Sequence, residues 1–324
     1  MELPNGTAVQ EFILLGFGIK QPHQFLLVTF FTILYILTLA ENITIIALVL
    51  LDAHLAQLPM YILLSNFSWL EICYVTTTVP RMLLDLMSPP GVISFNACFF
   101  QFYIFFSLGT SESFFLSAMA LDRYLAICHP LRYPQMISQH SCYTLVAACW
   151  TIGFLWYLIP VILISKLSFC GPNIIDHFMC DIGPILSLAC PPFGNIPSFC
   201  QIAMNAVVLI NVPFVVASYS TVIFTLLKKS NQGSRRKAFS TVSFHLMVVT
   251  LFYGSVAAMY LAPGGEDQSG LTKAVTVFYT AVTPSLNPPI YCLRNDQVKE
   301  VLCRVLKKRV RWLRRKETFG TILL

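Results

Sequence analysis

The sequence predicts an all-α membrane protein, a seven-transmembrane helix bundle with a short amphipathic cytoplasmic helix. Hydrophobic residues make up 56% of the 324 residues and charged residues only 11%, and the mean hydropathy is +0.70. Soluble domains carry about 25% charged residues, so most of this chain must lie in lipid. The composition excludes a soluble enzyme, a nucleic-acid-binding domain and a disordered scaffold.

Seven long apolar stretches follow one another along the chain. Each holds the roughly 20 apolar residues that a bilayer crossing needs. Because a backbone in lipid must satisfy its own hydrogen bonds, the stretches should be helices. Strands of a membrane barrel are shorter and alternate apolar with polar residues, a pattern that 99–121 does not show. The predicted spans are 25–51, 58–84, 97–128, 142–165, 197–227, 239–263 and 271–293.

The basic residues indicate how the bundle is oriented. They cluster at 228–237, between the fifth and sixth spans, and from Arg294 to Lys316. The positive-inside rule therefore places an N-terminus of 1–24 outside the cell and a tail of 294–324 in the cytoplasm, with the seven-helix bundle at 25–293 between them. A patch for RNA is the competing interpretation of the basic tail. Its position directly after a span favours an anionic lipid surface, so no nucleic acid is expected.

The two ends of the chain carry further signals. No removable signal peptide is recognised, so the first span should insert itself. Asn5 begins a glycosylation sequon, Asn5-Gly6-Thr7, on the predicted outer side. From 297 to 315, apolar residues recur three and four apart among charges. This spacing predicts an amphipathic helix lying on the inner leaflet.

Four cysteines fall at or beyond the predicted outer face: Cys98, Cys170, Cys180 and Cys190. The outside of the cell is oxidising, so disulfides are expected. Four cysteines allow three connectivities, and the sequence alone does not choose among them. A zinc site formed by the loop cysteines with His177 is the alternative.

Charged residues within the third span suggest function, because charge in lipid is costly. At 100° per residue, Phe105, Glu112 and Arg123 fall within about 20° of one line. One inward face therefore carries an aromatic ring, a carboxylate and, about 16 Å further along, a guanidinium. Asp122 is placed to form an ion pair with Arg123. Such a pair would hold Arg123 until another group competes for it. The alternative is a static ion pair with a structural role alone.

Glu71 lies midway along the second span and could meet Glu112 across the bundle. Two carboxylates in a low dielectric either share a proton or hold a cation. With Ser113, Ser285 and Asn287 as neutral oxygen ligands, the site suits a sodium ion, and no other cofactor is expected. Protonated carboxyls that only form hydrogen bonds are the alternative.

The seventh span ends in Pro284-Ser-Leu-Asn-Pro-Pro-Ile-Tyr291. The prolines interrupt helix hydrogen bonds and predict a kink, with Asn287 and Tyr291 on one face. A kink beside polar side chains can serve as a hinge, and a purely structural kink would have the same sequence.

These residues, in this order, carry a family resemblance. Cys98 at the head of the third span, MALDRYLAICHPL (119–131) and PSLNPPIY (284–291) resemble rhodopsin-type (class A) G-protein-coupled receptors. The resemblance narrows to the olfactory receptors and covers about residues 10–305. It rests on PMYILLSNFSWLEICY (59–74), VPRML (79–83), SESFFLSAMALDRYLAIC (111–128), the loop 169–190, KAFSTVSFHLMVVTLFYG (237–254) and NPPIYCLRN (287–295).

The resemblance implies a role for each matching residue. Arg123 would be the switch that contacts the G protein, and the switch region would also include Asp122, Tyr219, Asn287 and Tyr291. Glu71 and Glu112 would form the family's central ion site. Cys98 would pair with Cys180, and Cys170 with Cys190.

The resemblance also implies a ligand pocket in the outer half of the bundle. An apolar lining with a few hydroxyls and no charge nearby in sequence suits a small, volatile, neutral or weakly polar organic molecule rather than an amine. The expected lining is Phe105, Phe106, Gly109, Thr110, Met204, Val207, Tyr253, Val256, Ala257, Tyr260 and Thr280.

The predicted function is therefore an odorant receptor of the plasma membrane, in the cilia of sensory neurons. It would activate a stimulatory olfactory-type heterotrimeric G protein and raise cyclic AMP. A class A receptor outside olfaction, for a small lipophilic ligand, is the alternative. An enzyme is not expected, since the spans carry no HExxH or Gly-x-Ser-x-Gly motif, and no inverted repeat suggests a transporter.

Overall fold

The protein is an α-helical bundle. The computed structural model describes residues 9–18, 23–192, 194–228, 232–261, 268–292, 298–304 and 307. The helices are α1 (His23–Leu51), α2 (Pro59–Met87), α3 (Phe95–Cys128), α4 (Tyr133–Met136), α5 (Gln139–Ser165), α6 (Ile182–Ser187), α7 (Ile196–Lys228), α8 (Gln232–Leu261), α9 (Gln268–Val277) and α10 (Thr283–Cys292).

Each predicted span coincides with a helix or a helix pair. Four of the described helices, α1, α3, α5 and α7, are long and apolar enough to cross a membrane by length and composition. Helix α2 has 29 residues but carries Glu71, Arg81 and Asp85. The apolar part of α8 is 242–258, and the helix begins at Gln232, before the predicted 239, because it continues into the basic segment.

The seventh span is two helices joined by a π-helical turn, Phe278–Val282. The amide of Thr283 donates to the carbonyl of Phe278, five residues back. Pro284 has no amide hydrogen, so the carbonyl four residues before it lacks its usual donor, and the turn widens. The sequence predicts an irregular helix here but not that the irregularity precedes Pro284.

The bundle is organised around α3, which packs against α2, α5 and α7. The approach of α5 to α3 requires a glycine at position 153. A Cβ there would lie 2.0 Å from the Ser111 hydroxyl oxygen and 2.9 Å from the Ser107 carbonyl oxygen. Only a residue without a side chain allows that separation.

Three short strands form a sheet at one end of the bundle, which we name the disulfide end. Strand β1 (Glu11–Leu14) lies between β2 (Gly91–Ser94), which is antiparallel to it, and β3 (Ile174–Ile175), which is parallel. The sequence analysis predicts no strand. The sheet forms because β1 alternates, with Phe12 and Leu14 buried.

Two disulfides join the roof loop, defined as residues 166–195 between α5 and α7, to the bundle and to itself. Cys98 pairs with Cys180 and Cys170 with Cys190, with Cα–Cα distances of 5.5 and 5.1 Å. This is the connectivity that the resemblance implies.

The predicted tail helix is described only at 298–304 and 307. Residues 298–304 are helical. Val298 and Val301 are buried there, whereas Lys299 and Arg304 are exposed. This stretch is amphipathic, as the spacing predicts.

Replacing Phe12 by alanine tests the contribution of the sheet. The Phe12 ring is fully buried and contacts the rings of Phe95 and Phe169 at 5.9 Å each. We expect Phe12→Ala to lower the free energy of unfolding by about 3–5 kcal/mol, measured by thermal denaturation of detergent-solubilised protein. Val92→Ala is the control, since Val92 is a half-exposed residue of the same sheet. Equal melting temperatures for both variants would contradict a structural role for β1.

Candidate functional site

A cavity of about 630 Å³ opens at the disulfide end of the bundle. Its inner part is bounded by α2, α3, α5, α7, α8 and the π-helical turn, and its outer part by the roof loop. The lining residues are Tyr74, Phe105, Phe106, Gly109, Thr110, Ser113, Tyr157, Ile174, Asp176, His177, Asp181, Ile182, Gly183, Pro184, Ser187, Gln201, Met204, Val207, Val208, Phe252, Val256, Thr272 and Tyr279.

The structure brings most of the predicted pocket residues to this cavity. Those on its wall are Phe105, Phe106, Gly109, Thr110, Met204, Val207 and Val256.

Three of the predicted pocket residues do not line the cavity. Ala257 is exposed, one position past Val256 and so turned by 100°. Thr280 is buried within the π-helical turn. The Tyr253 hydroxyl is buried in the bundle near Ser113. The Tyr260 side chain lies outside the described residues.

Four aromatic residues of the lining are missing from the sequence-based prediction: Tyr74, Tyr157, Phe252 and Tyr279. The Tyr74 ring stacks on Phe105 at 5.0 Å, and Tyr157 stacks on Phe106 at 5.1 Å. The position of Tyr74, three residues after Glu71 on the same helical face, is the one sequence signal that could have identified any of them.

The roof loop brings charge to the cavity, which the sequence analysis does not anticipate. Asp176 accepts a hydrogen bond from Lys273 Nζ at 2.5 Å. Burial lowers the pKa of His177 to about 4, so this imidazole is neutral at pH 7. Burial raises the pKa of Asp181 to about 6. The expectation of a lining without nearby charge is wrong because a disulfide places residue 180 beside α3.

Two carboxyl groups lie deeper in the bundle. Glu71 and Glu112 are both buried, and Asn287 Nδ2 donates to Glu71 Oε1 at 2.6 Å. Glu71 Oε2 and Asn287 Oδ1 are buried without a partner among the described residues. Ser113 lines the cavity, whereas the Ser285 hydroxyl donates to the carbonyl of Val282.

The opposite end of the bundle holds the predicted switch residues. Arg123 Nε donates to Asp122 Oδ2 at 2.9 Å, and its Nη2 contacts the same oxygen. Tyr133 of α4, which sequence analysis did not identify, donates to Asp122 Oδ1 at 2.6 Å. Tyr219 is buried and forms a hydrogen bond with His245. The side chain of Tyr291 lies outside the described residues, as does Asn5.

Comparison with known proteins decides the family. The family model described as olfactory receptor matches residues 31–309. Human olfactory receptor 11G2 is 50% identical over 92% of this chain and 86% of that protein. Human olfactory receptor 11H6 is 49% identical over 92% of this chain and 90% of that protein.

The chain belongs to the olfactory receptor family. Family membership identifies this olfactory receptor as a multi-pass protein of the plasma membrane, with the seven-transmembrane bundle of a G-protein-coupled receptor. Its ligands are odorants, its partner is a G protein, and it is not an enzyme.

Asn287→Leu tests the link between α2 and α10 in this olfactory receptor. The substitution leaves a buried carboxyl oxygen of Glu71 without its donor, which costs about 1–3 kcal/mol or more. We expect lower thermal stability and less receptor at the cell surface, measured by flow cytometry. Ser285→Ala is the control, because that hydroxyl donates to the carbonyl of Val282, three residues before it in the same span.

A second substitution distinguishes this cause from loss of packing. Glu71→Leu combined with Asn287→Leu removes the unpaired carboxyl, so stability should recover relative to Asn287→Leu. A double variant as unstable as the sum of the two single variants would show that the residues act independently.

Proposed function

We propose that this receptor binds small, mostly apolar organic odorants in the cavity at the disulfide end and activates a stimulatory olfactory-type G protein, which raises cyclic AMP. The observation that supports this most is the cavity itself, a space of about 630 Å³ that opens at the disulfide end and has an aromatic inner wall. Its volume is within the range of small-molecule sites in proteins. Its inner wall includes residues of α8, which gives a ligand direct contact with that helix.

The inner wall defines the apolar part of the ligand site. Phe105 and Phe106 of α3 have their rings 5.3 Å apart and nearly perpendicular. Val207 of α7 and Val256 of α8 complete the wall from the other helices. Burial of a hydrocarbon skeleton against these side chains supplies affinity at roughly 25 cal/mol per Å² of apolar surface. Thr110 is one of the hydroxyl side chains of the inner wall that can form a hydrogen bond with the ligand.

Activation follows as a shift between two arrangements of the bundle. A ligand changes this equilibrium only through tighter binding to the active arrangement. Phe252 and Val256 line the cavity, and two turns before Phe252 on α8, His245 forms its hydrogen bond with Tyr219. An odorant that favours an outward movement of α8 would therefore also separate His245 from Tyr219.

The G protein binds at the end opposite the disulfides. In the resting arrangement Asp122 holds Arg123, and Tyr133 holds Asp122. Release of Arg123 lets it contact the G protein, with Tyr219, Asn287 and Tyr291 as the further residues of the switch. The basic loop at 228–237 lies next to this opening in sequence.

Glu71, Glu112 and Asn287 are the residues that would hold a sodium ion. The two buried oxygens without a partner, Glu71 Oε2 and Asn287 Oδ1, fit such an ion, because a cation would satisfy both. A bound sodium ion would supply positive charge between two carboxylates that otherwise repel each other or share a proton.

The orientation follows from the disulfides and the basic residues. We place the disulfide end outside the cell, since disulfides persist in oxidising surroundings, and the tail in the cytoplasm. The N-terminus is then outside, where Asn5 can be glycosylated. The cilia of sensory neurons are the site at which such a receptor would meet volatile ligands.

Val207→Trp tests the site. Val207 is buried on the cavity wall, and a Trp side chain there occupies the space of the ligand. We expect the odorant-evoked rise in cyclic AMP to be lost across a panel of small volatiles, with surface expression retained. Leu209→Trp is the matched control, because Leu209 lies two residues further along α7 and is 70% exposed.

The same assay tests the coupling. Arg123→Ala should abolish the response to every odorant that activates the wild-type receptor. A response that survives Arg123→Ala contradicts the proposed switch, and one that survives Val207→Trp contradicts the proposed site.

Tyr133→Phe tests the restraint on Arg123. A hydrogen bond to a charged group contributes about 1.5–3 kcal/mol, so its loss should favour the active arrangement by roughly tenfold or more. We expect a higher basal cyclic AMP level per receptor at the surface. Tyr143→Phe is the control, since Tyr143 is exposed on α5. Unchanged basal signalling would show that Asp122 holds Arg123 without help from Tyr133.

A further inference from the structure

Asp181 is a buried acidic residue of the cavity that no cationic side chain among the described residues neutralises. It is 4% exposed, and it lines the cavity. One carboxylate oxygen, Oδ1, accepts the amide hydrogen of Ile182 at 2.6 Å. The other, Oδ2, has no hydrogen-bond partner within the part of the chain that the structure describes. Since Oδ2 is not enclosed by protein atoms either, it faces the cavity.

The other polar groups of the roof loop do not compete for a ligand in the same way. Asp176 is already paired with Lys273. His177 Nδ1 accepts the amide hydrogen of Met179 at 3.3 Å, so the neutral imidazole carries its proton on Nε2. That Nε2 is buried away from the cavity space. Among the described acidic and histidine side chains of the roof loop, Asp181 is thus the acceptor that a ligand can reach.

Asp181 leaves one negative charge in the described lining that no cation offsets, since Asp176 is paired with Lys273. The described lining of the cavity includes two aspartates and a neutral histidine but no Lys or Arg. An unpaired carboxylate out of bulk water is costly, and a ligand that brings a donor removes that cost.

The aromatic wall also favours a ligand that brings a hydrogen-bond donor on an apolar skeleton. Tyr74 lines the cavity together with Asp181, and its hydroxyl lies 3.6 Å from where a Cβ at Gly109 would be. Phe105 stacks on Tyr74, and Tyr279 lies 5.9 Å from Phe105. The faces of aromatic rings attract a cation as well as apolar carbon.

We propose that Asp181 orients the ligand and that its carboxylate selects odorants that carry a hydrogen-bond donor, either the hydroxyl of an alcohol or the ammonium of a small amine. This inference rests on the proposed function, because it assumes that odorants occupy the cavity. It extends the ligand class beyond the neutral molecules that the sequence suggests. The hydrocarbon part of the ligand would lie against Phe105, Phe106 and Val207.

The test uses sets of ligands that differ only in the polar group. For each of several carbon skeletons, the alcohol, the primary amine, the ketone and the methyl ether are compared by the concentration that gives half-maximal cyclic AMP. A hydrogen bond to a charged group corresponds to roughly a ten- to hundredfold difference. We expect the alcohol or the amine to be more potent than the ketone and ether by that factor.

Asp181→Asn isolates the carboxylate. Asparagine keeps the side-chain oxygen that caps the first turn of α6 and removes the charge. We expect the amine response to be lost and the advantage of the alcohol to fall at least tenfold, with the ketone and ether unchanged. Asp176→Asn is the matched control, a neighbouring acid of the lining that is already paired, and it should keep the order of potency.

The outcomes separate the two proposals. If Asp181→Asn keeps the order of potency of the wild-type receptor, Asp181 does not select the ligand, and the cavity as odorant site is then judged by Val207→Trp alone. If the wild-type responses survive Val207→Trp, the cavity is not the odorant site and both proposals fail. Should Asp181→Asn not reach the cell surface, Asp181→Glu keeps the charge but moves it inward. We then expect a preference for shorter alcohols and amines, and an unchanged length preference overturns the assignment.

Discussion

The disulfide between Cys98 and Cys180 holds the roof loop against the first turn of α3. The arrangement of the cavity at the disulfide end depends on this bond. The Cys180 amide donates to Gln101 Oε1 at 3.2 Å, and Gln101 Nε2 donates to the carbonyl of Thr77 on α2 at 3.2 Å. The loop is therefore fastened to two helices. With residue 180 in place, Asp181 faces the cavity and β3 is positioned to pair with β1.

The cavity and the switch are connected through α3 and the polar groups beside it. Helix α3 carries Phe105 at the cavity, Glu112 in the interior and Arg123 at the opposite end. Tyr74 lines the cavity, and Glu71 lies about one turn before it on α2. A ligand that moves Tyr74 therefore acts on the helix that carries Glu71, whose hydrogen bond with Asn287 joins α2 to α10. The cost of an unpaired buried carboxyl makes this connection sensitive to small movements.

The sequence predicts well the features that depend on residues close together in the chain. Spans follow from runs of apolar residues, and the face shared by Phe105 and Glu112 follows from helix periodicity, so both are found in the structure. The ion pair of Asp122 with Arg123 joins neighbours in the chain. By contrast, Ala257 and Thr280 fall outside the cavity wall because the exact rotation of a helix depends on its packing partners. The π-helical turn adds such a rotation just before Pro284.

Composition and periodicity alone decide that this chain is a helical bundle in a membrane, because lipid forces each span to satisfy its own backbone hydrogen bonds. The sequence motifs alone identify the receptor family that the chain resembles. Only the tertiary structure decides which residues meet. Asp181 reaches the cavity through a disulfide between cysteines 82 residues apart, and Tyr133 meets Asp122 through a turn of chain between two helices. Such contacts depend on how distant segments pack, which no local pattern of residues records.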